Sequence, residues 1–397
     1  MLMKLTLIIP RLLSLSLNAV NTPKNHNPRS SGTEHSCTSS TPSRPPLRWR
    51  TMKSTNDNAR TPLPIDDLDW TADELGENYQ HATIPLGQDP DGEGENVAVL
   101  VKAGDDAPTG KPALLWVHGM SDYFFQTHVA EHFTAQGYPF YAVDLHKCGR
   151  AHRAGQRWHH TNDMATYYDE LTKVTNLIAA KHGAVIPLPH STGGLIVPLW
   201  LDHIRRNDPE THSQVAGMIL NSPWVDMQVA EWQVKVLRPV VKLAAKIAPN
   251  LKLPISGEST YGESIYKGLH GSWDFDTEKK RLGGHDKYVG WLNAVLEGQS
   301  TLHDATTDAA VPTLTLCSTH SYLGKPYSPA ADTADTVLDV EQIQHWAPQL
   351  SSAANETRAI PGALHDVFLS QPHARHLAFA AADEWLASFA TTPTAES

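Results

Sequence analysis

The chain reads as an α/β protein built on a mostly parallel sheet with helices on both faces. Two observations predict this. From about residue 80, short apolar runs alternate with segments of helical periodicity, the pattern of successive strand–helix–strand units. The apolar runs are also continuous rather than alternating, as in Ala-Leu-Leu-Trp-Val over Ala113–Val117, which fits strands covered on both faces. A length of 397 residues with 40% hydrophobic residues allows a core of that size.

The first 60 residues read as a disordered extension. Met1–Val20 has the outline of a signal peptide, with Lys4 ahead of leucines, but Pro10 and Arg11 break the apolar run and no small-residue cleavage site follows. The stretch is too short to span a bilayer stably. Residues 21–51 are rich in Ser, Thr, Pro, Asn and Arg, a composition that cannot pay for its own ordering. Two readings compete: a degenerate export or transit segment, or an extension upstream of a start at Met52. The second is preferred because Met52 opens the acidic body, and it implies a cytoplasmic location; a genuine signal would imply export. Residues 1–55 carry eight of the 32 Lys and Arg and one of the 43 acids, leaving 24 bases against 42 acids in the rest. A body that acidic repels phosphate backbones, so nucleic acid is not expected as a partner.

Three cysteines (Cys37, Cys148, Cys317) make no disulfide framework, and Cys317 lies in an apolar run. The histidines show no metal-ligand spacing; the adjacent His159 and His160 would diverge on a helix. No metal or cofactor is expected.

Along the domain, expected to run from 65 to 397, Ala113–Val117 is a buried strand followed by His-Gly-Met-Ser-Asp at 118–122. Phe140–Leu145 is a second strand, and residues 164–182 have helical periodicity. Ala184–Leu188 is the strand before Ser191, and Leu195–Arg206 the helix after it. Gly217–Asn221 and Pro312–Ser318 are further strands, and Ala374–Phe389 is a closing amphipathic helix. Between about 226 and 306 the alternation stops. Helix-like pieces (Ala230–Ile247, Val289–Glu297) separated by Gly/Pro/Ser-rich loops read there as a cap inserted over the site.

The chemistry centres on Pro189-His-Ser-Thr-Gly-Gly. A serine on a tight strand-to-helix turn has its Oγ exposed, with a helix N-terminus behind it. It needs a base, and the base an orienting acid. In a parallel sheet these should lie just past the carboxyl ends of strands. His365, after a short strand at Thr357–Ile360 and before the last helix, is the base candidate; its neighbour Asp366 reads as a loop or cap carboxylate. Acid candidates follow the Pro312–Ser318 strand, ranked Asp335, Asp339, Asp332. Oxyanion donors are expected from the backbone N–H groups of Thr192 and Met120, with His118 bracing the loop. Gly193 and Gly194 permit close helix–strand packing. Pro189 replaces the first glycine of G-x-S-x-G, and Pro187 sits in a central strand. The two share parity, so both missing N–H donors face one neighbouring strand while the other is spared.

Trp116-Val-His-Gly-Met, Val143-Asp-Leu-His-Lys-Cys-Gly-Arg, Pro189-His-Ser-Thr-Gly-Gly, Asn221-Ser-Pro-Trp, Ala334-Asp-Thr-Val-Leu-Asp and Leu364-His-Asp, in this order, resemble the α/β-hydrolase superfamily. Within it, over roughly residues 65–390, the chain resembles the lysophospholipase and monoglyceride-lipase branch, also described as serine-aminopeptidase-like. The resemblance implies the α/β-hydrolase fold with a helical cap, Ser191 as nucleophile, His365 as base, Asp335 as acid, and Met120 and Thr192 as oxyanion donors. The implied substrate is a small-molecule or lipid ester. Trp224 and the cap's Trp232, Val236, Leu237, Val240, Val241 and Leu243 either line an acyl pocket or pack the cap onto the core. An aminopeptidase of the proline iminopeptidase type would need acids to hold a free amine, for which Glu258, Glu263, Asp274 and Asp276 are candidates. A non-catalytic binding protein is the third reading, and the serine disfavours a dehalogenase-like relative, which uses an aspartate nucleophile.

Overall fold

The computed structural model describes residues 64–254 and 259–390. The predicted extension, Met52 and Glu258 lie outside the described residues. Among the described residues nine strands follow one another: β1 (Thr71–Ala72), β2 (Tyr79–Gln88), β3 (Glu95–Ala103), β4 (Ala113–Val117), β5 (Phe140–Asp144), β6 (Val185–Pro189), β7 (Met218–Asn221), β8 (Thr313–Ser318) and β9 (Asn355–Ile360). Hydrogen-bonded ladders run β1-β2-β3-β5-β4-β6 and β7-β8-β9. β3 pairs antiparallel with β5, whereas β5, β4 and β6 are mutually parallel, as are β7, β8 and β9.

The β2–β3 antiparallel pair departs from the predicted strand–helix alternation. It forms because Asp89-Pro-Asp-Gly-Glu-Gly gives a tight turn, with Gly92 and Gly94 at positive φ. The buried Lys147 ammonium anchors that turn, 2.9 Å from Asp89 and 3.0 Å from Glu93.

The seam between the two ladders has a residue-level cause. Ala113 N–H reaches the Ala184 carbonyl and His190 N–H the Val117 carbonyl, so the even-numbered donors of β6 face β4. Its odd-numbered donors face β7, where Val185 N–H reaches Gln214 O and Ser191 N–H reaches Asn221 O. Pro187 and Pro189 fall between these two and have no proton to give. On this side β6 is therefore pinned at its two ends, to residues 214–216 just before β7 and to Asn221 of β7, and its β4 side is fully laddered.

Alternate residues of the central strands feed two cores. Leu115, Val117, Tyr141 and Val143 pack with α2 (Tyr168–His182), α3 (Gly193–Asn207) and α7 (Val289–Leu302). Leu114, Trp116, Phe140, Ala142, Ile186 and Leu188 pack with α1 (Thr127–Ala135) and α9 (Pro372–Ala390). Both sheet faces are thereby covered, which is why these strands read as unbroken apolar runs. The short helix α4 (Pro209–Ser213) links α3 to β7, and α8 (Val340–Trp346) precedes β9.

Between β7 and β8 the chain leaves the sheet for α5 (Glu231–Ile247), α6 (Ser259–Ile265) and α7. α7 packs on α3, and α5 on α7. Helix α5 buries Leu237 and Val241, one turn apart, against that surface.

Candidate active site

Ser191 occupies the turn between β6 and α3 at φ +52°, a left-handed conformation that non-glycine residues rarely adopt. The turn is held on both sides of the serine. Its N–H donates to Asn221 O (3.0 Å), and its carbonyl accepts from Gly194 and Trp224 N–H (2.9 Å each). Gly193 and Gly194 are required by contact: a Cβ on Gly193 would lie 2.7 Å from Val117 O, and one on Gly194 2.5 Å from Pro223 Cβ. The same bare Cα accommodates Pro189, whose Cβ would stand 3.3 Å from a Cβ at 193. A proline thus fits two residues before the serine because a glycine stands two residues after it.

Ser191 Oγ–H donates to His365 Nε2 (2.9 Å), and His365 Nδ1–H donates to Asp335 Oδ2 (2.9 Å). All three residues are buried. The other Asp335 oxygen accepts from Val337 and Leu338 N–H, both at 2.8 Å, so this carboxylate is saturated and fixed. Asp339 instead caps α8 by accepting from Glu341 N–H, and Asp332 accepts from Tyr327 OH. Neither is bonded to His365. Asp366 caps a short 3-10 turn and takes bonds from Asn221 Nδ2 (2.8 Å) and Gln126 Nε2 (3.0 Å). Through this bond Asn221 clips the serine turn to the histidine loop, because its side-chain oxygen also accepts from Val367 N–H.

Two further histidines approach without competing. His118 donates from Nδ1 to Gly119 O, and its Nε2 accepts from Leu145 N–H (3.0 Å), leaving no lone pair for proton abstraction. Burial pushes His190 down to about 4, so its ring stays uncharged at neutral pH, 4.8 Å from the His365 ring. Gly119 touches the serine turn: a Cβ there would lie 3.0 Å from Ser191 Cβ. Met120 follows directly, half-buried, and Thr192 opens α3.

The Asp144-to-Arg150 motif braces the loop after Met120. Asp144 accepts from Phe124 N–H and from the Arg150 guanidinium, which also grips Asp73. Gly149, at φ +46°, leaves room that a Cβ would take from Tyr123 (2.4 Å).

Several residues that no sequence pattern singled out also lie here. Tyr261 of α6 meets the His365 ring edge-on at 5.3 Å, and burial pushes its hydroxyl well above the usual tyrosine range. Asp122 is buried and paired with Lys280 Nζ at 2.7 Å. Burial raises this carboxyl, but Lys280, together with His190 and His118, outweighs it and holds the group below the usual carboxylate range. His-Gly-Met-Ser-Asp contained Asp122 in plain view; its lysine has no local signal.

The expected pocket residues divide. Trp224 is buried beside Ser191 and 5.9 Å from Trp291. Trp232 is 66% exposed on α5, with Val236 and Leu243 each 52% exposed. Leu237 and Val241 pack toward α7 and the core, with Val240 partly buried beside them. Among the candidate amine-binding acids, Asp274 is paired with Lys267, and Asp276 with Lys279 and two backbone amides. A separate cleft of about 580 Å³ lies outside the serine site, lined by Trp158, Arg281, His285 and Tyr288 among others. Among the described residues no group of His, Cys, Asp and Glu could hold a metal ion, and no helix is long and apolar enough to cross a membrane.

The sequence profile described as serine aminopeptidase, S33, matches residues 109–372. The chain belongs to this family of hydrolases. Its fold is that of α/β-hydrolases. It is similar to a soluble variant of the Saccharomyces cerevisiae monoglyceride lipase in complex with a substrate analogue (TM-score 0.55, 14% identity, 81% of this chain and 95% of that one). It is also similar to the Paleococcus ferrophilus monoacylglycerol lipase (TM-score 0.51, 18% identity, 79% and 99%). No curated protein sequence matches it.

One buried group of this S33 chain gives a prediction on stability. Burial pushes the Lys287 ammonium down to about 8. An unfolded lysine titrates near 10.4. The fold therefore carries the full cost of a buried charge below pH 8 and sheds it as pH rises from 8 toward 10.5. Lys287→Met is expected to raise unfolding free energy at pH 7 by up to about 3 kcal/mol. Denaturant titrations at pH 7 and 9.5 check this; the gain should shrink at the higher pH.

Proposed function

We propose that this chain is a carboxylic-ester hydrolase working through an acyl-enzyme on Ser191, with monoacylglycerol or lysophospholipid-like lipids as its substrates. The observation that carries the reading is the continuous hydrogen-bonded chain from Ser191 Oγ through His365 to Asp335. In this mechanism His365 Nε2 takes the Oγ proton as the serine attacks the ester carbonyl. Asp335 keeps the imidazole oriented and stabilises its cation. The backbone N–H groups of Met120 and Thr192 receive the oxyanion, the latter at the positive end of α3. His365 then protonates the leaving alcohol, and a water activated by the same nitrogen releases the acid. Residues 226–306 serve as a cap, a reading supported by the contact of Tyr261 with His365.

Esters are favoured over aminoacyl substrates because two of the four acids offered for an amine, Asp274 and Asp276, are engaged by lysines of their own segment. The lipid class rests on the resemblance to the monoglyceride-lipase branch. A chain-length series of p-nitrophenyl esters beside an aminoacyl-naphthylamide tests the assignment, with Ser191→Ala as control. Esters should turn over faster than the amide, with a maximum at intermediate or long acyl chains; a faster amide overturns the ester reading.

A further inference from the structure

Three consecutive residues after Met120 are each tied to one short stretch of the segment between β7 and β8. Ser121 Oγ accepts from His285 N–H (3.0 Å) and lies 3.2 Å from His159 Nδ1. Asp122 Oδ1 pairs with Lys280 Nζ (2.7 Å), both side chains being less than a tenth exposed. Tyr123 OH accepts from Asp276 N–H (2.8 Å), and Lys279 lies over its ring at 5.4 Å. On the other side of Met120, His118 and Gly119 are braced only by the core, through Leu145 N–H and the serine turn. Met120 therefore stands at the join between a half-loop held by the sheet and the serine turn and a half-loop that residues 276–285 hold together with the Asp144–Arg150 brace. Ser121 is at φ +54°, a conformation that persists only where its surroundings enforce it.

We infer that the 276–285 stretch assembles the oxyanion loop, with Lys280 as the positioning residue that seats Asp122 and so aims the Met120 N–H. This rests on the reading of Met120 as an oxyanion donor. The physical reason is electrostatic. A carboxylate buried to this degree is costly unless paired, and its cation arrives from outside the core domain. Without Lys280 the loop relieves the charge by turning Asp122 toward water, which carries Met120 with it. Displacements of about 1 Å at such a donor cost about a hundredfold in rate. The consequence is that the hole is complete only while this stretch is docked.

The test compares the full-length protein with Lys280→Met and with the double variant Asp122→Asn/Lys280→Met, which carries no buried charge and keeps the fold measurable if the single variant unfolds. Amide hydrogen exchange over 118–124 is followed by mass spectrometry, beside kcat and KM on a p-nitrophenyl ester. Lys280→Met should exchange at least about tenfold faster over 118–124 with the 186–196 segment unchanged, and its kcat should fall about tenfold to a hundredfold with KM within about threefold, whereas the double variant, with no charge to relieve, should return to within about threefold of wild type in both. Wild-type exchange over 118–124 in Lys280→Met overturns the inference, as does a double variant that exchanges as fast and turns over as slowly as Lys280→Met, because then the unpaired charge is not what moves the loop. The exchange readout needs no activity, so it stays decisive if the ester reading itself fails, which the Ser191→Ala control shows separately.

Discussion

Ser191→Ala should lower kcat for ester hydrolysis by about 10⁶-fold, measured against uncatalysed background, while leaving Tm within a few degrees of the parent. The loss is large because the nucleophile and its base act as one unit. Among the described residues Oγ is the one partner hydrogen-bonded to His365 Nε2, so it is the group the imidazole is placed to deprotonate. The same logic fixes the double variant. Ser191→Ala with His365→Ala should be no slower than Ser191→Ala alone, since removing either member already disables the pair. The backbone of the turn should survive, because its bonds to Asn221, Gly194 and Trp224 are all main-chain.

Asp335→Asn is expected to cost about 10⁴-fold in kcat with KM little changed, by the reasoning that applies to Ser-His-Asp sites generally. An amide at this position still accepts from Val337 and Leu338 N–H through its oxygen, so the loop keeps its shape. Its NH₂ then faces His365 Nδ1, which must become the acceptor. That forces the proton onto Nε2, the atom that has to receive the serine proton. Asp339→Asn is the matched control. Asp339 accepts a helix-capping bond from Glu341 N–H, and asparagine caps equally well, so kcat and Tm should stay near the parent values.

Much of the framework was legible in the sequence because the two faces of a covered sheet leave a direct imprint. Ala113–Val117 and Phe140–Asp144 are unbroken apolar runs for the plain reason that odd and even residues enter different cores. The shared parity of Pro187 and Pro189 foretold that one side of β6 would be left short of donors while the other was spared. Asp335 ranks above Asp339 because it heads Ala334-Asp-Thr-Val-Leu-Asp ahead of the helix-like run from Val340, across a long loop from the strand that ends at Ser318.

What was not legible depends on partners distant in the chain. The β2–β3 pair looks locally like the start of strand–helix alternation, and only its turn chemistry separates it. Helix α5 carries apolar residues around more than one face, so its sequence does not say that Leu237 and Val241 go in while Trp232 stays out. Lys280 and Asp122 follow no motif together; each alone is an ordinary charged residue. Tyr261 reaches His365 from a helix whose only sequence signal is its place in the insertion.

The central claim is that Ser191 is the acylated nucleophile. Treating the protein with a fluorophosphonate and locating the adduct by peptide mass spectrometry tests it most directly. The account predicts a single stoichiometric adduct on Ser191, absent from Ser191→Ala and slowed by Asp335→Asn. Stoichiometric modification of any other residue, or inertness of Ser191 in a protein that still hydrolyses esters, would contradict it.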